Sequence, residues 1–258
     1  MNKALVISAS GKGGTGKTTI IALLLKCILD SNSNKDILVV DADPAANLPD
    51  VLGVSINKTV GEVANELKKR IEKGTIPLGV SKRDLLEGWV YSTIVELDDF
   101  DMLVMGRTEG EGCYCYVNNV LTKILDTIIS NYDLVLMDME AGLEHLSRRT
   151  DKDVDKMIIV TDMSLMGFKT AKRIKELIKE VHIKIKSVYL VGNRFPPKFR
   201  SKLEEWASKI GVEFGALIPY DPLVEEFNIL GKSLLELPSD SPALKAAYGL
   251  AEKLSVLK

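Results

Sequence analysis

Short apolar runs recur along the chain, and nearly every position within several of them is hydrophobic. Runs of this kind are typical of parallel strands that are covered on both faces, whereas strands with one face in water alternate polar and apolar residues. The runs predict strands at Ala4–Ile7, Ile37–Val40, Met102–Met105, Leu134–Met137, Met157–Val160, Val188–Val191 and Phe214–Ile218.

Apolar residues with helical spacing lie between these strands, most clearly from Val117 to Ile129. Strand and helix in repetition predict right-handed crossovers, and therefore an α/β fold. We expect a doubly wound, mainly parallel sheet of about seven or eight strands with helices on both faces. Residues 54–99 break the rhythm with a charged helical run, which predicts an insertion after the second strand within a single domain over residues 1–258.

The composition excludes several classes of protein. Of the 258 residues, 46% are hydrophobic and 27% are charged, a balance typical of globular proteins with a large core. The formal net charge is −2 with both signs interspersed, which is unlike the basic footprint of a nucleic-acid-binding protein. No apolar run approaches the roughly 18 residues of a membrane span. We therefore expect a cytoplasmic protein with neither a nucleic-acid nor a membrane partner.

A glycine-rich motif follows the first predicted strand and precedes an apolar helix. Its pattern, Gly-x-x-x-x-Gly-Lys-Thr, is typical of a loop whose backbone N–H groups surround the phosphates of ATP or ADP. Lys17 is expected to contact the β- and γ-phosphates, and Thr18 to offer its hydroxyl to Mg²⁺. The nucleotide-binding residues predicted from this motif are Gly11, Gly13, Gly14, Thr15, Gly16, Lys17, Thr18 and Thr19.

Acidic residues end two of the predicted strands. Asp41 and Asp43 follow the second strand, and Asp138 ends the fourth. Ligands of open α/β sheets bind at the carboxyl ends of the strands, so these side chains lie where a nucleotide would bind. We expect Asp138 to hold Mg²⁺ directly or through water, with Asp41 close to the metal.

Lys12 directly follows the first glycine of the motif, and the string from Lys12 to Thr18 resembles the deviant Walker A motif. That motif belongs to the ATPase family that includes MinD, ParA, the arsenical-pump ATPase and the nitrogenase iron protein. The resemblance implies a homodimer in the ATP state, in which Lys12 reaches the partner's nucleotide and acts with Lys17 in catalysis. It also implies that Asp43 orients or activates the attacking water.

Two further strand ends resemble the base pocket of related ATPases. Asn193 and Arg194 follow the sixth predicted strand, and Asn193 matches the asparagine that binds the adenine edge. Pro219 and Tyr220 follow the last predicted strand and resemble the opposite wall of that pocket. An asparagine at the end of a strand is also a common turn residue, which is the alternative interpretation.

Cys113 and Cys115 lie one residue apart in a glycine-rich loop, whereas Cys27 falls in an apolar helical stretch and is expected to pack in the core. Two thiols this close can bind one metal ion, but a closed Zn²⁺ site needs four ligands, which a symmetric dimer would supply. Four thiolates also suit Ni²⁺, Cu⁺ at lower coordination, or an iron–sulfur cluster. Two reduced structural cysteines or a redox pair are the alternatives.

The string Cys113-Tyr114-Cys115, together with residues 138–146 and 218–222, resembles the CooC-type maturation ATPases of carbon monoxide dehydrogenase and acetyl-CoA synthase. The resemblance implies an intersubunit Ni²⁺ or Zn²⁺ site formed with ATP, and nickel insertion into the apo form of that client enzyme. A partitioning or positioning ATPase of the MinD or ParA kind and an iron–sulfur cluster carrier stay open as alternatives. A MinD-like protein should end in a basic amphipathic helix, whereas the apolar stripe near the end of this chain predicts core packing.

Overall fold

The computed structural model describes residues 3–76, 79, 81–107, 115–140, 154–180 and 185–257. Within these residues the centre of the molecule is an eight-stranded sheet. Its strands are β1 (Leu5–Gly11), β2 (Ile37–Asp41), β3 (Val95–Glu96), β4 (Asp101–Val104), β5 (Leu134–Asp138), β6 (Val154–Thr161), β7 (Ile185–Asn193) and β8 (Glu213–Ile218).

Helices connect the strands and follow the last of them. They are α1 (Lys17–Asp30), α2 (Leu48–Leu52), α3 (Val60–Glu72), α4 (Lys82–Tyr91), α5 (Cys115–Ile129), α6 (Leu165–Glu180), α7 (Arg200–Ile210), α8 (Pro222–Leu230) and α9 (Pro242–Lys253). Two single turns of 3-10 helix lie at Pro197–Phe199 and Leu234–Glu236. The region predicted as an insertion, residues 54–99, forms α3, α4 and β3.

The strands lie in the order β3-β4-β2-β5-β1-β6-β7-β8. β3 pairs antiparallel with β4, and every other pair in this sheet is parallel. All of the predicted strands are present, but β3 was not predicted because a two-residue strand is too short to show a hydrophobic period. β5 lies between β1 and β2, so the carboxyl ends of these three strands meet at the phosphate loop.

Two cores lie on opposite faces of the sheet. Neighbouring strand residues point to opposite faces, so Val6 and Ile7 of β1 enter different cores. Helices α1, α2 and α9 cover one face, and α3 to α7 cover the other. This double cover is the physical reason that the strands are apolar throughout, and it confirms the predicted doubly wound α/β fold.

Helix α9 packs on the same face as α1. Leu244, Ala247, Ala251 and Leu254 are buried there, in the stripe that the sequence predicts to face the core. Cys27 of α1 is buried in the same core, as expected from its apolar surroundings. Among the described helices, none is long and apolar enough to cross a membrane.

Candidate functional site

The phosphate loop connects β1 to α1 in a tight turn. Gly14 and Gly16 have φ angles of 80° and 88°, in the left-handed region that side-chain-bearing residues rarely adopt. A Cβ on Gly11 would lie 2.3 Å from the carbonyl oxygen of Val160, so β1 and β6 approach closely where the loop begins. The Thr15 hydroxyl donates to the Lys12 carbonyl at 2.8 Å and closes the turn.

The first turn of α1 is open at its N-terminus. Gly16 is the N-cap residue, and no side chain caps the helix. The first N–H groups of a helix have no partner within the helix and carry its positive dipole end. An uncapped N-terminus behind a glycine-rich loop therefore suits the phosphates of a nucleotide.

Lys17 and Asp43 approach each other across the site. The Lys17 side chain is only 7% exposed, and its Nζ lies 3.9 Å from Oδ2 of Asp43. The other Asp43 oxygen, Oδ1, accepts a hydrogen bond from the Ala45 backbone N–H at 2.9 Å. A buried ammonium group needs negative charge beside it, and this distant carboxylate supplies only part of that charge. A γ-phosphate at the position predicted beside Lys17 would supply the rest.

Asp138 and Thr18 form the part of the site that fits Mg²⁺. The Thr18 hydroxyl donates to Oδ2 of Asp138 at 2.5 Å. The other oxygen, Oδ1, is buried and has no hydrogen-bond partner among the described residues. Burial raises the pKa of Asp138 to about 7, although the Thr18 hydrogen bond acts in the opposite direction. A divalent cation would satisfy the unpaired oxygen and stabilise the ionised carboxylate.

Asp41 lies next to Asp138, because the two residues are register partners on β2 and β5. Its carboxylate accepts backbone hydrogen bonds from Asp43 at 3.0 Å and from Leu48 at 2.9 Å. These donors belong to the segment of residues 42–48, which we call switch I. Burial raises the pKa of Asp41 to about 6. Asp41 therefore anchors switch I in this structure, and its predicted place near Mg²⁺ stays a prediction.

A cavity of about 640 Å³ opens from the phosphate loop towards α8. This volume is typical of sites for small molecules and cofactors. Most of the sequence-predicted nucleotide residues line it, namely Gly13, Gly14, Gly16, Lys17, Thr18, Thr19, Asp43, Asn193, Arg194, Pro219 and Tyr220. Gly11 and Thr15 instead support the loop from behind.

Asn193 and Arg194 support the phosphate loop from β7. The Asn193 side chain donates from Nδ2 to the Thr15 carbonyl at 2.9 Å, and the Arg194 guanidinium donates to the Gly14 carbonyl. A Cβ on Gly16 would lie 2.2 Å from Asn193 Nδ2, so the loop needs glycine at this position. Their predicted contacts with adenine stay predictions, since both side chains bind the loop here.

Sequence reasoning missed the wall that α8 contributes to this cavity. Val224, Glu225, Asn228 and Ile229 line its far end, and the Tyr220 hydroxyl donates to the Glu225 carboxylate. Helical residues that follow the last strand have no motif of their own. The only local signal is the Asp-Pro pair at the start of α8, which predicts where the helix begins and not what it faces.

Asp162 is a second residue that sequence reasoning missed. It follows β6 at the carboxyl edge of the sheet, and its Oδ2 lies 3.8 Å from Lys12 Nζ. Burial opposes its ionisation, but hydrogen bonds from Ser164 and the charge of Lys12 outweigh burial and lower the pKa of Asp162. The strand-end rule that identified Asp138 would also have found Asp162. Lys12 does not line the nucleotide cavity of its own chain.

The predicted metal-binding cysteines fall largely outside the described residues. Cys113 is outside them, and Cys115 is described only as the first residue of α5, without its side chain. Residues 141–146, in the string that resembles the CooC-type ATPases, are also outside. In the part of the chain that the structure describes, no three His, Cys, Asp or Glu side chains group so as to hold a metal ion.

A glycine-rich loop between a strand and an uncapped helix, with a buried lysine and a Thr–Asp pair beside it, defines a P-loop nucleoside triphosphatase. The chain belongs to the AAA domain family, whose model AAA_31 matches residues 3–189. It is 44% identical over 250 residues to an uncharacterised ATP-binding protein of Methanocaldococcus jannaschii, covering 97% of this chain and 98% of that protein. The protein is therefore an ATP-binding P-loop ATPase.

Two further similarities place this ATPase more closely. It is 31% identical over 191 residues to the carbon monoxide dehydrogenase accessory protein CooC of Rhodospirillum rubrum, covering 69% of this chain and 70% of CooC. Its fold is similar to the crystal structure of a ParA family ATPase from Chlorobium tepidum, with a TM-score of 0.70. That match covers 97% of this chain and 99% of the other at 20% identity, and it shows the MinD/ParA type of fold.

Proposed function

We propose that this ATPase dimerises with ATP to assemble a metal site from its cysteine pair, and delivers nickel to a carbon monoxide dehydrogenase or acetyl-CoA synthase apo-enzyme. The observation that carries the proposal is the position of α5. This helix begins at Cys115 and, along the chain, connects β4 to β5, two strands that run in the same direction on either side of β2. Its first residue therefore belongs to the same edge of the sheet as the phosphate loop.

Hydrogen bonds connect the end of β4, from which the chain continues towards Cys113 and Cys115, to the nucleotide site. The Met105 N–H, directly after β4, donates to the Asp41 carbonyl at 2.8 Å. The carboxylate of the same Asp41 holds switch I through Asp43 and Leu48. A nucleotide-dependent movement of switch I would therefore reach the backbone that leads to Cys113 and Cys115. This connection supports a metal site that responds to ATP.

A symmetric dimer would supply the two further sulfur ligands that a closed metal site needs. A single Cys113/Cys115 pair offers two sulfur ligands, whereas two pairs on a symmetry axis offer four. Lys12 fits the same arrangement, since its side chain is 42% exposed and does not line the cavity of its own chain. In a face-to-face dimer Lys12 is free to leave Asp162 and contact the nucleotide of the partner.

The hydrolysis chemistry follows from residues already in place. Lys17 binds the β- and γ-phosphates, and Asp43, beside it, orients the attacking water. Thr18 and Asp138 would hold Mg²⁺, which would supply positive charge to the phosphate oxygens. After hydrolysis the dimer loosens, and the metal, which is the cargo of the protein, is released to the client. The name of the similar CooC protein, a carbon monoxide dehydrogenase accessory protein, is the basis for the proposed client.

The test measures oligomer mass and metal content of the purified protein with and without ATP. The Asp43→Ala variant with ATP and Ni²⁺ is expected to form a stable dimer that contains about one metal ion. Replacing both Cys113 and Cys115 by serine should remove the metal and preserve the dimer. Cys27→Ala is the matched control, because it removes a buried thiol on another helix and should leave metal content unchanged.

Three outcomes would contradict the proposal in different ways. A monomer under all conditions would exclude the ATP-driven dimer. A dimer that never binds metal would favour the positioning or partitioning alternative. Iron and sulfide in place of nickel would favour an iron–sulfur cluster carrier, because four thiolates also suit such a cluster.

A further inference from the structure

A second cavity, of about 540 Å³, lies beside switch I and is separate in its lining from the nucleotide cavity. Pro44 and Ala46 of switch I form one wall. The first turns of α3 form another wall, and Gly106 and Arg107, after β4, complete it. The function described above uses none of these side chains.

The carboxylates of this cavity already have donors. Glu62 accepts hydrogen bonds from the Thr59 backbone N–H at 2.7 Å and from the Thr59 hydroxyl at 3.1 Å. Glu66 accepts a hydrogen bond from Arg70 at 2.7 Å and lies 3.6 Å from Lys58 Nζ. Glu66 is therefore paired with two cations, whereas the donors of Glu62 are neutral groups that leave its negative charge in place.

The cations of the cavity do not have such partners. Lys69 and Arg107 form no ion pair with any residue that the structure describes. The backbone of Arg107 is fixed against α3, since a Cβ on Gly61 would lie 2.3 Å from the Arg107 carbonyl oxygen. With Glu66 paired to Lys58 and Arg70, the lysine and the arginine on opposite walls outweigh the single charge of Glu62 and attract an anionic ligand. An arginine guanidinium binds a carboxylate with two parallel hydrogen bonds.

The size of the cavity favours a ligand larger than a single ion. Volumes of about 300–1,000 Å³ are typical of sites that hold molecules of many atoms, and this cavity of about 540 Å³ lies in that range. We propose that this cavity binds an acidic segment of a partner protein and couples that binding to the nucleotide site through switch I. The proposal requires neither the cysteine pair nor a metal, so it stands or fails independently of the function proposed above.

Switch I gives the coupling its physical route. Asp43 and Asn47 line the nucleotide cavity, whereas Pro44 and Ala46, within the same segment, line the second cavity. The Asp41 carboxylate holds the segment at both ends, and Ala46 is strained at a φ of 51°. Because one short segment forms walls of both cavities, a ligand that favours one arrangement of it changes affinity at the other cavity, and the effect is reciprocal.

The first experiment measures binding of a fluorescein-labelled hexaglutamate peptide to the full-length, metal-free protein by fluorescence anisotropy at low salt. Lys69→Glu combined with Arg107→Glu should weaken binding at least about tenfold. Lys73→Glu combined with Lys82→Glu is the matched control with the same change in net charge, because both lysines are exposed and lie outside the cavity, and it should change affinity less than about twofold. Equal weakening in both would show non-specific attraction and overturn the proposal.

Two further measurements complete the test. Saturating hexaglutamate should change the ATP affinity of the wild-type protein at least about threefold, and the charge-reversed variant should lose this effect. An unchanged ATP affinity would overturn the coupling. Displacement of the peptide by inorganic phosphate at equal concentration would assign the cavity to a free anion and overturn the peptide ligand. Circular dichroism checks folding, and Lys69→Gln with Arg107→Gln replaces the first variant if charge reversal unfolds it.

Discussion

Buried aspartates occur both at the phosphate loop and at the junction of α8 with α9, and they differ in how many hydrogen bonds their carboxylates accept. Asp221 accepts hydrogen bonds from the Leu223 N–H at 3.0 Å, the Ser241 hydroxyl at 2.6 Å and the Ala243 N–H at 3.1 Å. Asp138 accepts one hydrogen bond, and its Oδ1 has no partner among the described residues. The first aspartate is satisfied by the protein itself, and the second requires a ligand.

The number of hydrogen bonds that a buried carboxylate accepts separates structural acids from candidate ligand-binding acids in this fold. A buried carboxylate stabilises the folded state when both of its oxygens accept hydrogen bonds from the protein. A buried carboxylate oxygen without a partner destabilises the protein, and it persists where a bound cation offsets the cost. By this criterion Asp138 is a candidate to bind a ligand, whereas Asp221, although it also lines the nucleotide cavity, joins the starts of α8 and α9.

The largest expected effect is on catalysis. Lys17→Ala removes the buried ammonium that is predicted to contact the phosphates, and it should lower ATP hydrolysis at least about 100-fold. The matched control is Lys26→Ala, which removes a lysine of the same helix that forms an ion pair with Asp30 at 3.2 Å. A malachite-green assay for released phosphate compares the two. Equal activity in both variants would exclude Lys17 from catalysis.

The second-largest effect is expected from removing the hydrogen bonds that Asp221 accepts. Asp221→Asn places an amide donor against the donors of Ser241 and Ala243, and we expect a loss of about 2–3 kcal/mol in the free energy of unfolding. For a chain of this size that loss corresponds to a Tm lower by about 5–10 °C in differential scanning calorimetry. Asp240→Asn, in the exposed loop before α9, should change the stability by less than about 0.5 kcal/mol.

Replacing Asp138 by asparagine should change the free energy of unfolding in the opposite direction. Asp138→Asn removes a buried carboxylate with an unpaired oxygen, so the nucleotide-free and Mg²⁺-free protein should gain about 1–2 kcal/mol at pH 8. The stabilisation that Mg²⁺ with ATP gives to the wild-type protein should disappear in the variant. A variant that is less stable than the wild type without ligand would contradict the distinction between the two aspartates.

The pH dependence has a definite direction. Burial raises the pKa of Asp138 from 3.8 to about 7, so the folded protein retains a proton that the unfolded chain releases within this range. The stability of the ligand-free protein should therefore fall as the pH rises from about 4 to 7. Urea unfolding across this range should show a weaker dependence in Asp138→Asn. A stability that rises with pH in both proteins to the same extent would contradict this assignment.

The smallest effect concerns a buried thiol with no role in either region. Burial raises the pKa of Cys27 to about 12, so its reactive thiolate is scarce at pH 8. In a background with Cys113 and Cys115 replaced by serine, Ellman's reagent should label no thiol in the native protein. It should label one after denaturation. Rapid labelling of the native protein would show that the core around α1 opens.

Local signals found the centre of the site. The phosphate loop is a single continuous motif. Asp41 and Asp138 directly follow predicted strands and Asp43 lies two residues after Asp41, so no knowledge of the folded chain is needed to place them at one edge of a parallel sheet. The same strand-end rule was not applied to Asp162, although its signal is present. Asp221 has a helix-start signal, but its hydrogen bonds to Ser241 and Ala243 depend on two helices meeting.

The sequence by itself determined the class of fold, the phosphate loop and the acids at the strand ends, because each depends on hydrophobic period or on residues adjacent in the chain. The tertiary structure alone decided that β5 lies between β1 and β2, that Lys12 contacts Asp162, and that α8 closes the nucleotide cavity. It also placed switch I between two cavities. These features join residues far apart in the chain, and packing in three dimensions, not local preference, brings such residues together.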